Sequence, residues 1–101
     1  MSVANVVFHR LALKEFRAAR DWYAQRSARA ARSFENEVGR CVKLIAAAPE
    51  QFPLYYRDYR WIRTKRFPYV LYYYMLPSGT LLVVALAHGR RRPGYWLRRS
   101  R

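Results

Sequence analysis

Residues 69–87 read YVLYYYMLPSGTLLVVALA, two apolar runs divided by a turn cluster. Both runs, Tyr69 to Leu76 and Thr80 to Ala87, are rich in the aromatic and aliphatic residues that pleated strands favour. Pro77-Ser78-Gly79 supplies the turn chemistry between them, so the stretch predicts an antiparallel hairpin. LLVVALA is apolar on both faces, which is expected of a central strand covered on each side. In the first run Tyr69, Leu71, Tyr73 and Met75 oppose Val70, Tyr72, Tyr74 and Leu76. Helices on one side and a partly open aromatic surface on the other are therefore expected.

Working outward, Arg60 to Phe67 predicts another strand, in which Trp61, Arg63 and Lys65 alternate with Ile62, Thr64 and Arg66, giving a wet, cationic face. Residues 49–59 hold Pro49, Phe52, Pro53, Tyr55 and Tyr56 without a clear period and predict a loop. Upstream, Ala31, Phe34, Val38, Cys41, Ile45 and Ala48 recur at spacings of three and four, a helix stopped by Pro49. Ser27 offers its N-cap. Leu13, Phe16, Ala19 or Arg20, and Tyr23 mark an earlier helix from Leu11 to about Gln25. Only a few residues separate the two, so they form an antiparallel hairpin whose facing stripes bury Phe16, Tyr23, Phe34 and Val38. Gly39 in mid-helix predicts a close approach of helix or sheet. Ser2 to His9, with Val3, Val6, Val7 and Phe8, predicts a first strand. The fold class is α+β, in the order β-α-α-β-β-β, with the helical hairpin packed on one face of an antiparallel sheet. Residues 1–101 form a single domain, and 88–101 form a basic C-terminal tail, broken by Pro93 and Gly94, with no amphipathic helix.

Composition limits what such a domain can do. The chain has 101 residues, 20 Lys+Arg against 6 Asp+Glu, a formal charge of +14, and 52% hydrophobic residues. That apolar content excludes a disordered basic tail. The charge is uneven: residues 1–50 carry nine cations and five acids, net +4, whereas residues 51–101 carry eleven cations and Asp58 alone, net +10. The cations are mostly Arg, a bias suited to bidentate recognition of phosphate or carboxylate and equally produced by GC-rich coding. A lone cysteine, Cys41, cannot close an intramolecular disulfide, and no stretch approaches the roughly 18 apolar residues of a membrane span or resembles a secretory signal. The cytoplasm is the expected compartment, with no membrane partner.

Catalytic constellations are sparse. No serine sits in a nucleophile elbow and no Gly-rich phosphate loop occurs. Cys41 lies on an apolar helical stripe and reads as a small buried hydrophobe. His9 and His88 stand apart from other ligand types, so no metal and no cofactor is expected. Glu15, Asp21, Glu35 and Glu37 sit on helices among arginines, where solvated pairing at helical spacing is the ordinary role. What remains is a basic, aromatic surface: Arg57, Arg60, Arg63, Lys65 and Arg66, then His88, Arg90, Arg91, Arg92, Tyr95, Trp96, Arg98 and Arg99. It could bind RNA, or cleave it without carboxylates, since Lys, His, Tyr and Arg can supply base, acid and charge stabilisation. It could equally meet an acidic protein, or simply keep the chain soluble. Tyr95 and Trp96 are expected to pack back onto the sheet.

Trp22-Tyr23 late in the first helix, Phe34-x-x-Glu37 in the second, R-x-x-x-x-x-R-F-P-Y-x-L-Y-Y over Arg60 to Tyr73, and V-V-A-L-A-H-G-R-R-R-P-G-Y-W over Val83 to Trp96 resemble the RelE/ParE superfamily of type II toxin-antitoxin toxins across nearly the whole chain. The resemblance implies an acidic, partly disordered antitoxin that folds on binding and joins the toxin in a hetero-oligomer. Leu13, Trp22 and Phe52 are the expected antitoxin contacts. RelE-like members cut mRNA on the ribosome, and Arg63, Lys65, Arg90 or Arg91, and Tyr95 are the positions matching their catalytic groups. However, the arginine those enzymes place after the third-strand tyrosine is Val70 here, and their C-terminal helix has no counterpart. ParE-like members resemble this chain more closely. They inhibit DNA gyrase by protein contact, for which Arg66, His88, Arg92, Trp96 and Arg98 are the expected target-binding residues.

Overall fold

The computed structural model describes residues 3–99; Ser2, where the first strand was expected to begin, and Ser100 and Arg101 at the end of the tail lie outside them. The elements run β1 (Val6–Phe8), α1 (Arg10–Ala24), α2 (Ala28–Ala47), β2 (Leu54–Tyr56), β3 (Tyr59–Arg63), β4 (Tyr69–Met75) and β5 (Leu81–His88). One five-stranded sheet has the order β1-β5-β4-β3-β2. Its β2–β3, β3–β4 and β4–β5 pairs are antiparallel, while β1 lies parallel to β5 with Val6 opposite Leu81.

The expected α+β order holds, with differences that have local causes. Residues 49–59, expected as loop, contain a 3-10 turn at Pro49–Gln51 and the edge strand β2. All three residues of β2 are exposed, so no burial period marks it. The segment is pinned from outside itself: Arg60 Nη1 donates to the Phe52 carbonyl at 2.6 Å, and the Tyr73 hydroxyl donates to the Pro49 carbonyl at 2.6 Å. Strand β3 stops at Arg63 rather than Phe67, because buried Thr64 turns the chain. Its N–H donates to the Tyr69 carbonyl at 3.0 Å, and its hydroxyl lies 2.9 Å from the carbonyl oxygens of Phe67 and Tyr69. Arg66 then takes φ +69°, the left-handed region.

The hairpin turn forms as read. The Gly79 N–H donates to the Leu76 carbonyl and the Leu76 N–H to the Thr80 carbonyl, both at 2.8 Å, with Gly79 at φ +90°. Ser27 caps α2, its Oγ accepting from the Ala30 N–H at 3.2 Å. Gly39 differs from expectation: a Cβ built there meets nothing within 4 Å, so no close approach requires glycine.

The sheet has a core on each face. Against the helices lie Ile62, Leu71, Tyr73, Leu81, Val83 and Leu86, met by Ala12 and Ala19 of α1 and by Phe34, Val38, Cys41 and Ile45 of α2. Phe16 stacks on Phe34 at 5.7 Å and Tyr23 sits 5.2 Å from the same ring. The opposite face buries Tyr59, Tyr74, Leu82, Val84 and Ala85 beneath Trp96. A bulge between Tyr72 and Tyr73 shifts the β4–β5 register, and Val84 and Ala85 both join this second cluster. Strand β5 is thus interior and buried on both faces, as expected, although β4 occupies the geometric centre.

Candidate functional site

After β5 the chain reverses over the second face of the sheet. Successive turns are closed by the Arg91 N–H to the His88 carbonyl (2.9 Å), Tyr95 to Arg92 (3.3 Å), Leu97 to Gly94 (3.0 Å) and Arg99 to Trp96 (3.0 Å). Gly94, at φ +74°, permits the bend that Pro93 begins. Trp96 is the anchor: it is 1% exposed, with ring centroids 4.5 Å from Tyr72, 5.0 Å from Tyr59 and 5.6 Å from Tyr55. Its burial agrees with packing onto the sheet and leaves its ring facing the sheet rather than a target, where it was also counted.

A second tether runs to α1. Glu15 Oε1 accepts from the Leu86 N–H at 3.0 Å and from Arg99 Nη1 at 2.9 Å; Oε2 accepts from Arg99 Nη2 at 2.8 Å and from the Tyr95 hydroxyl at 2.5 Å. Arg99 Nη1 also donates to the Val84 carbonyl at 2.8 Å. Burial alone would raise the Glu15 carboxyl, but the four donors outweigh it and hold the group below the ordinary carboxylate value. The Tyr95 phenol is driven the other way: burial and donation to Glu15 push it well above its usual range. Glu15 is therefore no solvated helical partner, contrary to expectation. Its sequence signal was its place three residues after Ala12 and four before Ala19, the two buried residues of α1. Arg99 sat among the expected cations without an assigned role.

Glu37 makes the expected pair at helical spacing, with Arg40 at 2.6 Å, but it is largely buried rather than solvated and also accepts the Lys65 N–H at 2.7 Å, joining α2 to the β3–β4 loop. The Arg40 hydrogen bond is the main reason its pKa falls to about 2. Cys41 is fully buried, and desolvation raises its thiol to about 11, the behaviour of a packed hydrophobe.

The remaining candidates fall on separate surfaces. Arg63 is exposed at the end of β3, opposite Val70. Lys65 and Arg66 are exposed and line a groove of about 760 Å³ with Arg29 and Arg40 of α2. A second groove, of about 410 Å³, is lined by Trp22, Tyr23, Pro68, Tyr69, His88 and Arg91, with Glu15 and Leu86 also in its wall. Trp22 is 49% exposed and carries Arg26 over its ring at 3.4 Å. His88 contacts Tyr69 edge-on at 5.2 Å, and its Nδ1 accepts from the Arg90 N–H at 3.0 Å. Arg91 lies 3.8 Å over the Tyr95 ring, and Arg90, Arg92 and Arg98 are exposed.

The structure thus brings Trp22, His88 and Arg91 together, a grouping that crosses the expected antitoxin, target and catalytic sets. It leaves Leu13 and Phe52 out of that groove. Leu13 is half-buried, and Phe52 packs on the helix-side core. Among the expected catalytic positions, Arg91 meets Tyr95, whereas Lys65 faces a different groove. Among the described residues no group of three or more His, Cys, Asp or Glu could hold a metal, and no helix is long and apolar enough to cross a membrane.

A protein-family model described as the ParE toxin of the type II toxin-antitoxin system, parDE, matches residues 6–93. The match runs from β1 to the first turn of the tail and ends before Tyr95, Trp96 and Arg99. None of the curated proteins matches the chain.

Proposed function

The chain belongs to the ParE toxin family of type II toxin-antitoxin systems, and from that premise we propose that it arrests growth by binding DNA gyrase rather than by cutting RNA. A cognate antitoxin is the partner that family membership implies. The observation that carries the gyrase assignment is the state of Tyr95. A tyrosine that cleaves RNA must exchange a proton near neutral pH, whereas this hydroxyl donates to Glu15 and is pushed further from neutrality. Val70, where RelE-like nucleases carry arginine, supports the same conclusion. Arg90, Arg92 and Arg98 make no ion pair among the described residues and stand exposed, suited to contact with an anionic surface.

The antitoxin is acidic in this proposal, which suits a toxin of formal charge +14. It seats an amphipathic helix beside α1, where Trp22 offers the largest exposed ring of that helix. The chain acts in the cytoplasm, where gyrase and antitoxin meet it. Expression of the chain alone should stop growth, and co-expression of the antitoxin should restore it. Purified chain added to gyrase should block supercoiling, while the same chain added to translating ribosomes should leave mRNA 5′ ends unchanged. Codon-position cuts that disappear in Tyr95→Phe would instead establish the nuclease.

A further inference from the structure

The Glu15 carboxylate joins parts of the chain that lie far apart in sequence. Its donors come from β5 and from the tail, 71 to 84 residues away. Without that tether, the segment after β5 is a string of single turns, too short to hold a shape through local hydrogen bonds. Trp96 fixes one point of it, and Glu15 fixes the next turn through Tyr95 and both ends of the Arg99 fork. A largely buried ion pair adds little net stability over an apolar replacement, yet it specifies one geometry. Here that geometry belongs to a segment bearing exposed arginines.

Resting on the gyrase-contact function above, we propose that Glu15 is a positioning residue for target recognition: through Tyr95 and Arg99 it holds residues 89–99 as a preformed basic loop that presents Arg90, Arg92 and Arg98 to an anionic protein surface. Holding the loop in its bound shape removes the ordering cost at the moment of contact. Loss of the tether weakens binding although no target-touching group has been changed. The tail side of this tether, Tyr95 and Arg99, lies beyond residues 6–93 that the family model matches.

Glu15→Gln separates position from charge. It keeps an acceptor for the Leu86 N–H but removes the ion pair with Arg99, and it makes the chain one charge more positive. Simple electrostatic attraction would then strengthen inhibition of gyrase, whereas loss of position weakens it. With wild type and variant both shown fully folded by thermal melting, exchange of the Leu97 and Arg99 amides should quicken about tenfold, and about ten times more variant should be needed to inhibit supercoiling. Tyr95→Phe deletes one hydroxyl, should give a smaller change in the same direction, and takes the place of Glu15→Gln if that variant does not fold. Unchanged tail exchange, or a loosened tail with full or greater potency, overturns the proposal. A wild-type chain that does not inhibit gyrase removes the function proposed above and this inference with it. Inhibition by the wild type that Glu15→Gln retains in full removes the inference alone.

Discussion

The two faces of the sheet are closed by different means. On one, thirty-five residues of α1 and α2 lay down a continuous stripe, so Phe34, Val38, Cys41 and Ile45 are buried by a repeating pattern. On the other, a tail whose described residues form no α-helix covers a tyrosine-rich surface through the Trp96 indole, the Glu15 carboxylate and the bond from Arg99 to the Val84 carbonyl. A face held by many small contacts is hard to open in part, whereas a face held by a few attachments can be released locally. The exposed arginines of the tail lie over the second face, where the proposed target contact falls.

Truncation on each side tests this difference most severely. Phe34→Ala removes a ring shared by Phe16, Tyr23, Phe67 and Tyr69 and should cost about 4 kcal/mol, seen as a lowered midpoint in urea with all probes moving together. Trp96→Ala should cost about 3 kcal/mol, with tail amides exchanging well before those of α2. If the tail and α2 amides open together in Trp96→Ala, the two faces are one cooperative unit and the contrast fails.

Acid provides a milder probe. Glu37 has its folded pKa lowered from 4.5 to about 2, so its contribution is full above the unfolded value and drains away as pH falls from about 4.5 toward 2. Glu15 is lowered too, with the same sign. Glu37→Gln should flatten the loss of stability between those pH values on the helix side while leaving tail exchange at neutral pH unchanged. Gly39→Ala should raise stability by about 0.5–1 kcal/mol in the same urea titration, because the site has room for a methyl group and helical glycine is unfavourable. A loss there would show that the helix needs the glycine after all. Smallest of all, Arg98→Ala should leave the urea midpoint within about 0.5 kcal/mol and weaken gyrase inhibition.

The helix-side face was legible in the sequence because period and burial coincide: the stripe from Ala31 to Ile45 and the Ser27 cap read directly, and so did the turn at Gly79. Edge strand β2 was not, since three exposed residues carry no burial period and the turn that leads into them is held at Pro49 and Phe52 by Tyr73 and Arg60 from other strands. The end of β3 depended on Thr64 finding carbonyls beyond the strand, a tertiary event. Among the candidate residues, type was legible and grouping was not. The cations of the tail were visible, but only the folded chain sets Trp22 beside His88 and Arg91, or carries Tyr95 and Arg99 to Glu15. An acid on the buried side of α1 was the one local sign of that tether.

The most direct measurement is a titration of DNA gyrase supercoiling with the purified chain. Inhibition by contact predicts that supercoiling falls in proportion to bound chain and returns when excess antitoxin strips it away. Supercoiling that continues undiminished at a large molar excess of folded chain would contradict it.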